Sequence, residues 1–143
     1  MAQYQARLSG PFLDRIDLAI EVPAVPASDL VLPPPAEGSE QVAERVALAR
    51  RLQQERYASI GAESVFLNAA ASPNLIEEVA KPDSGGQALI RDAADRMRLT
   101  ARGFHRVLKV ARTIADLDGA RDVGRIHLAE ALSYRAMHER IAS

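Results

Sequence analysis

The alternation of apolar and polar positions changes period along the 143 residues of this chain, and the changes mark its elements. The longest run with helical period is Leu99 to Leu117. With Phe104 set at zero and about 100° per residue, Val107, Leu108, Ala111, Ile114 and Ala115 fall within roughly 80° of it, while Arg102, Arg106, Lys109 and Thr113 lie opposite. This predicts a helix with one packed face and one basic face, capped by Thr100 and ending near Asp118-Gly119, where glycine can take the left-handed conformation. Before it, Ser39 is placed to cap a helix running to about Tyr57, with Val42, Val46, Ala49 and Leu52 turned inward. Ser72-Pro73 opens a short helix to Ala80, which must stop before Pro82. Ser84 and Gln87 have capping-box spacing and introduce a helix to about Arg98, with Leu89, Ile90, Ala93 and Met97 inward. A last helix spans about His127 to Ile141.

One segment has period two. Ile16, Leu18, Ile20 and Val22 alternate with Asp17, Ala19 and Glu21, the pattern of a half-buried strand, and no second strand of similar quality is available to pair with it. Pro23 to Gly38, with Pro23, Pro26 and the triplet Pro33, Pro34 and Pro35, reads as a linker. The expectation is an all-α fold: a bundle of four or five helices over 39–143, preceded in 1–38 by one orphan strand and a proline-rich linker. That first part is expected to be poorly ordered on its own, because a strand without a sheet does not offset the entropy of fixing it.

Composition narrows the picture. With 4% aromatic residues and no Trp, the core must be built from Leu, Ile, Val and Ala, which suits packed helices. A net charge of -1 argues against a globally basic nucleic-acid binder and leaves room for a local patch. The absence of cysteine excludes disulfides and thiolate chemistry. No apolar run approaches the roughly 20 residues needed to span a bilayer, and a soluble, cytoplasmic protein is expected.

Three blocks carry a family resemblance: Tyr4 to Leu18, with Ser9-Gly10-Pro11 and Leu13-Asp14-Arg15-Ile16-Asp17; Thr100-Ala101-Arg102 opening the basic helix through His105-Arg106-Val107-Leu108 to Ile114-Ala115-Asp116-Leu117; and Leu128 to Arg135. In order and spacing they resemble the C-terminal region of magnesium-chelatase-like AAA+ ATPases of the bacterial ComM/YifB type. The resemblance implies that the helical part is the lid of such an ATPase and that 1–38 is a remnant of its core. Arg15 then matches the arginine finger that reaches a neighbouring subunit's ATP, and Arg102 matches sensor 2, an arginine at the start of a lid helix that contacts nucleotide phosphates; Arg106 is a weaker candidate. A guanidinium offers several donors to phosphoryl oxygens, and a helix N-terminus already favours an anion. The plainer readings are an Arg15 paired with Asp14 or Asp17, and a solvated helix face with Asp92 and Asp95 as partners for Arg102.

His105, His127 and His138 are too dispersed for a metal site and are expected at caps or on the surface. Gly85-Gly86 is turn material, and no Gly-x-x-x-x-Gly-Lys-Ser/Thr loop occurs, so the groups that cradle a triphosphate are missing. The resemblance therefore implies the C-terminal portion of a longer protein, inactive alone, with ATP and Mg2+ as cofactors of the whole. Its implied partners are the AAA+ core of the same polypeptide, neighbouring subunits of a ring of six, and DNA, on which a helicase or branch-migration motor of natural transformation would act. The fragment itself should be monomeric. The rival reading is a helical nucleic-acid-binding module that uses Arg98, Arg102, Arg106 and Lys109 against phosphates.

Overall fold

The computed structural model describes residues 15–24, 26 and 37–142, in which five α-helices and one 3-10 turn follow in order. They are α1 (Ser39–Ser59), the 3-10 turn Asn68–Ala70, α2 (Pro73–Val79), α3 (Ser84–Arg96), α4 (Ala101–Leu117) and α5 (Arg125–Ala142). The expected all-α fold is observed, with α4 at its centre: it touches α1, the 3-10 turn, α2 and α5, and α5 also packs on α3. The core is aliphatic, as the composition requires. Val107, Leu108, Ala111 and Ala115 of α4 are buried with Ile76, Ile90, Val123, Leu128 and Ala131, and among the described residues Tyr57 is the one aromatic ring fully enclosed with them.

Local chemistry sets the helix ends. Ser72 Oγ accepts from the Leu75 amide at 3.3 Å and Thr100 Oγ1 from the Gly103 amide at 3.0 Å, both at the expected caps. At α4's far end Gly119 has φ +66°, with Gly119 N–H on Asp116 O and Ala120 N–H on Ala115 O, so the helix stops where its glycine allows. Two caps fall one residue earlier than expected. Gly38 precedes α1, its amide donating to Gln41 Oε1 at 3.0 Å, and Asp83 rather than Ser84 caps α3, its Oδ1 accepting from Gly86 N at 2.7 Å. A carboxylate accepts this bond more strongly than a hydroxyl does. After α3 the chain reverses through Arg98, a non-glycine residue at φ +47°.

Two expectations are corrected. Val42 and Val46 are each 39% exposed, and α1 packs instead through Ala49, Gln53 and Tyr57. The i, i+4, i+8 spacing is helical, but a buried glutamine interrupts the apolar pattern that a sequence reading follows. Residues 15–24 form no strand: without a partner edge the alternating segment stays irregular and lies along α4, with Leu18 and Ile20 beside Val110, Ile114, Leu117, Glu130 and Tyr134. Most of the proline-rich linker and the first 14 residues lie outside the described residues, as does the expectation that 1–38 is poorly ordered.

Two connections meet at one end of the bundle. Pro82 and Val123 form an isolated parallel bridge, with the Asp83 amide donating to Val123 O at 3.3 Å. Gly86 sits in this junction so closely that a Cβ there would lie 2.8 Å from Leu128 Cδ1 and 2.9 Å from Pro82 Cβ. Glycine is needed for that approach.

Candidate functional site

The basic side of α4 is built from its first three turns. Thr100 fixes where the helix starts, and Gly103, Val107 and Ala111 take the buried side. Arg102 and Arg106, four residues apart, are thereby neighbours on the opposite side. With Pro73, Ala101, His105 and Lys109 they line a cavity of about 370 Å³. The cations differ in how far they are engaged. Arg106 pairs with the Asp17 carboxylate and donates to the carbonyl of Arg15 at 2.8 Å. Lys109 Nζ donates to the carbonyl of Ala69 at 2.8 Å, and burial lowers its pKa, a shift that Asp17 opposes and Arg106 reinforces. His105 Nε2 lies 2.6 Å from Glu77 Oε1. Arg102 is exposed and has no hydrogen-bond or ion-pair partner among the described residues.

The structure thus brings the turn of Arg15 to the same helix face as Arg102. Arg15 is exposed and unpaired with Asp17, whose carboxylate goes to Arg106 instead. Arg98 does not line the cavity; it occupies the reversal after α3. The four-cation face expected by the nucleic-acid reading is accordingly broken up, since Arg106 and Lys109 are held by protein acceptors. His127 is a cap: its Nδ1 accepts from the Gly124 amide at 2.9 Å, and its Nε2 faces Asp118 at 3.3 Å. The side chain of His138 lies outside the described ones. Among the described residues no three of His, Asp and Glu are grouped to hold a metal ion, and no helix is long and apolar enough to cross a membrane.

At the other end of α4 lies a polar cluster that the sequence reading missed. Asp116, 1% exposed, accepts from Arg112 Nε at 3.1 Å, from both terminal nitrogens of Arg56, and from Asn68 Nδ2 at 2.9 Å. Arg112, equally buried, reaches the carbonyls of Ala120 and Arg121 at 2.7 and 2.8 Å. Asn68 in turn accepts from Tyr57 OH at 2.8 Å and donates its amide to Gln53 Oε1 at 3.0 Å. Burial pushes the Tyr57 hydroxyl up to about 12 and lowers the Arg112 guanidinium, against the pull of Asp116. A signal was available: on the wheel set at Phe104, Arg112 falls at about 80°, on the edge of the apolar arc, with Asp116 one turn on. This cluster ties α1, the 3-10 turn and the α4–α5 connection to α4, so that the helix presenting Arg102 is held firmly at its base.

Comparison with known families decides the kinship. Residues 36–135 match the model of the magnesium chelatase subunit ChlI C-terminal region, and residues 1–30 match the magnesium chelatase subunit ChlI model. The chain belongs to the magnesium chelatase ChlI C-terminal family. Within that family this ChlI-type chain is 44% identical to the competence protein ComM of Haemophilus influenzae over 136 residues, 94% of the chain and 25% of ComM. It is 40% identical to the uncharacterized protein YifB of Escherichia coli and 37% identical to YifB of Salmonella typhimurium, in each case over 94% of the chain and 26% of the relative. It is a ComM/YifB-type, magnesium-chelatase-like protein, and spans about a quarter of the length of these curated relatives. The boundary between the two matched models falls between the Arg15 segment and α1, so the ChlI-type chain carries Arg15 and Arg102 on opposite sides of that junction.

Proposed function

We propose that this chain is the helical lid of a ComM-like AAA+ ATPase, that Arg102 reads the phosphates of bound ATP, and that Arg15 is an arginine finger acting on a neighbouring subunit's nucleotide. The observation that carries the reading is the state of Arg102: exposed and unengaged on the first turn of the central helix, beside a cavity that its neighbours make basic. Neither Asp92 nor Asp95 pairs with it, and the nearby Asp17 is held by Arg106, so its donors remain available to an external anion. These residues suit the phosphates of ATP; the described side chains offer nothing comparable for its magnesium ion, whose ligands would come from the core that carries the phosphate-binding loop. The chain alone therefore binds nucleotide weakly and does not hydrolyse it. In the intact protein, closure of the lid on ATP would bring Arg102 to the phosphates and convert hydrolysis into movement of the bundle about its junction with the core. A hexameric motor on DNA follows as the corresponding proposal for the whole protein, from the kinship with ComM.

The test uses the full-length protein of which this region is a part. Arg102→Ala lowers kcat for ATP hydrolysis about 100-fold, the usual loss when one donor to the transition-state charge is removed. Arg15→Ala subunits, equally slow alone, regain activity when mixed with subunits defective in their own phosphate-binding loop, because the finger acts across the interface. Full activity of the Arg102→Ala protein would refute the lid reading, and an absence of regain on mixing would refute the finger.

A further inference from the structure

Arg106 already holds an anion, and that anion belongs to the chain. The carboxylate of Asp17 sits on its guanidinium, and the same Nη1 donates to the carbonyl of Arg15 at 2.8 Å. A carboxylate and a phosphate present the same pair of charged oxygens to a guanidinium, so Asp17 stands where a phosphate oxygen would stand, one helical turn from the unengaged Arg102. The pair is exchangeable. The Asp17 side chain is 51% exposed and that of Arg106 20%, and ion pairs of such exposure contribute little to holding a chain in place. A polyphosphate carries several times the charge of one carboxylate and spans two guanidinium groups where Asp17 engages one. Lys109 completes the enclosure, lining the same cavity in the field of both Asp17 and Arg106.

From this arrangement we infer that Asp17 is an internal substitute for phosphate: it occupies Arg106 while the face is empty, and a polyphosphate bridging Arg102 and Arg106 displaces it and frees the turn of Arg15 from α4. The inference rests on the nucleotide reading of Arg102 and adds to it a regulation. One nitrogen of Arg106 serves both Asp17 and the Arg15 backbone, so both contacts are lost together when the guanidinium turns to an incoming phosphate. Filling the face then changes the freedom of the candidate finger, and the two arginines become linked through a residue that touches no nucleotide.

The experiment titrates the 143-residue chain with inorganic tripolyphosphate and, separately, with ATP, without divalent cations, by calorimetry and by amide NMR. Asp17→Asn removes the competing charge and is expected to bind tripolyphosphate about fivefold tighter than wild type, the gain when a weak internal competitor is deleted. Asp17→Glu keeps the pair and wild-type affinity, and Arg102→Ala loses binding in either background. At saturation the wild-type amides of Arg15 to Leu18 move to the positions they hold in free Asp17→Asn. Equal or weaker binding by Asp17→Asn, or amides of Arg15 to Leu18 that stay in place at saturation, overturns the Asp17 proposal while Arg102-dependent binding leaves the nucleotide reading standing. Absence of binding by all variants at millimolar tripolyphosphate and ATP overturns both.

Discussion

The most consequential single side chain for stability is Asp116. Its carboxylate is fully enclosed and serves Arg112, Arg56 and Asn68, so Asp116→Ala leaves the buried Arg112 guanidinium without its counter-charge, with only the carbonyls of Ala120 and Arg121 to accept from it, and leaves Asn68 Nδ2 with Thr113 Oγ1 alone. The expected cost is about 3 kcal/mol or more, read as a fall in the urea midpoint. The exposed pair between Arg45 and Glu37 is the contrast: Glu37→Ala should leave the midpoint where it was. Tyr57 adds a pH dependence. Its folded-state pKa is raised to about 12 from an ordinary value of 10.0, so its contribution is complete below pH 10 and is lost as pH rises through 12. Thermal melts between pH 9 and 12 should lose on the order of 2 kcal/mol to this group, and Tyr57→Phe should abolish that part of the decline at the cost of a lower melting temperature at neutral pH. Of these roles, only the place of Arg112 at the edge of the apolar arc of α4 was legible in the sequence. A buried ion pair and a solvated one have the same spacing, and what distinguishes Arg112 and Asp116 is a third partner, Asn68, 48 residues from Asp116.

Helices were far more legible than the contacts between them. Ser72, Thr100 and Gly119 signal their helix ends through chemistry confined to a few residues, and the structure places these ends as expected. The apolar side of α4 was equally plain, since Val107, Leu108, Ala111 and Ala115 repeat without interruption. The inward side of α1 was misread because Gln53 belongs to it, a residue made acceptable there by the Asn68 amide it accepts. Gly86 was misread in another way: taken for turn material, it is a spacer that lets α3 approach Leu128 of α5. Gly86→Ala would improve the intrinsic helix propensity of α3, yet the added methyl meets two carbon atoms inside 3.0 Å. Overpacking wins, and the variant should be destabilised by about 1–3 kcal/mol in denaturant titration.

At the scale of the molecule, charge distribution separates the two functional readings. A nucleic-acid module needs its cations free to meet phosphates at once, whereas here Arg106 and Lys109 are engaged by Asp17, Arg15 and Ala69. Fluorescence titration with labelled duplex at low salt should accordingly give only feeble association without sequence preference; micromolar affinity that falls steeply with salt would favour the nucleic-acid module. The candidate residues themselves were found from a resemblance in motif, and their grouping was not: nothing in spacing alone places residue 15 against residue 106, because the two lie 91 positions apart and the contact depends on how the chain between them folds. The bridge between Pro82 and Val123 bears on the same question of motion. It pins two loops at one pole of the bundle, while the opposite pole holds the Arg98 reversal and the start of α4. Small-amplitude opening should thus concentrate at the end that carries Arg102, leaving that arginine on the looser rim of an otherwise fastened body.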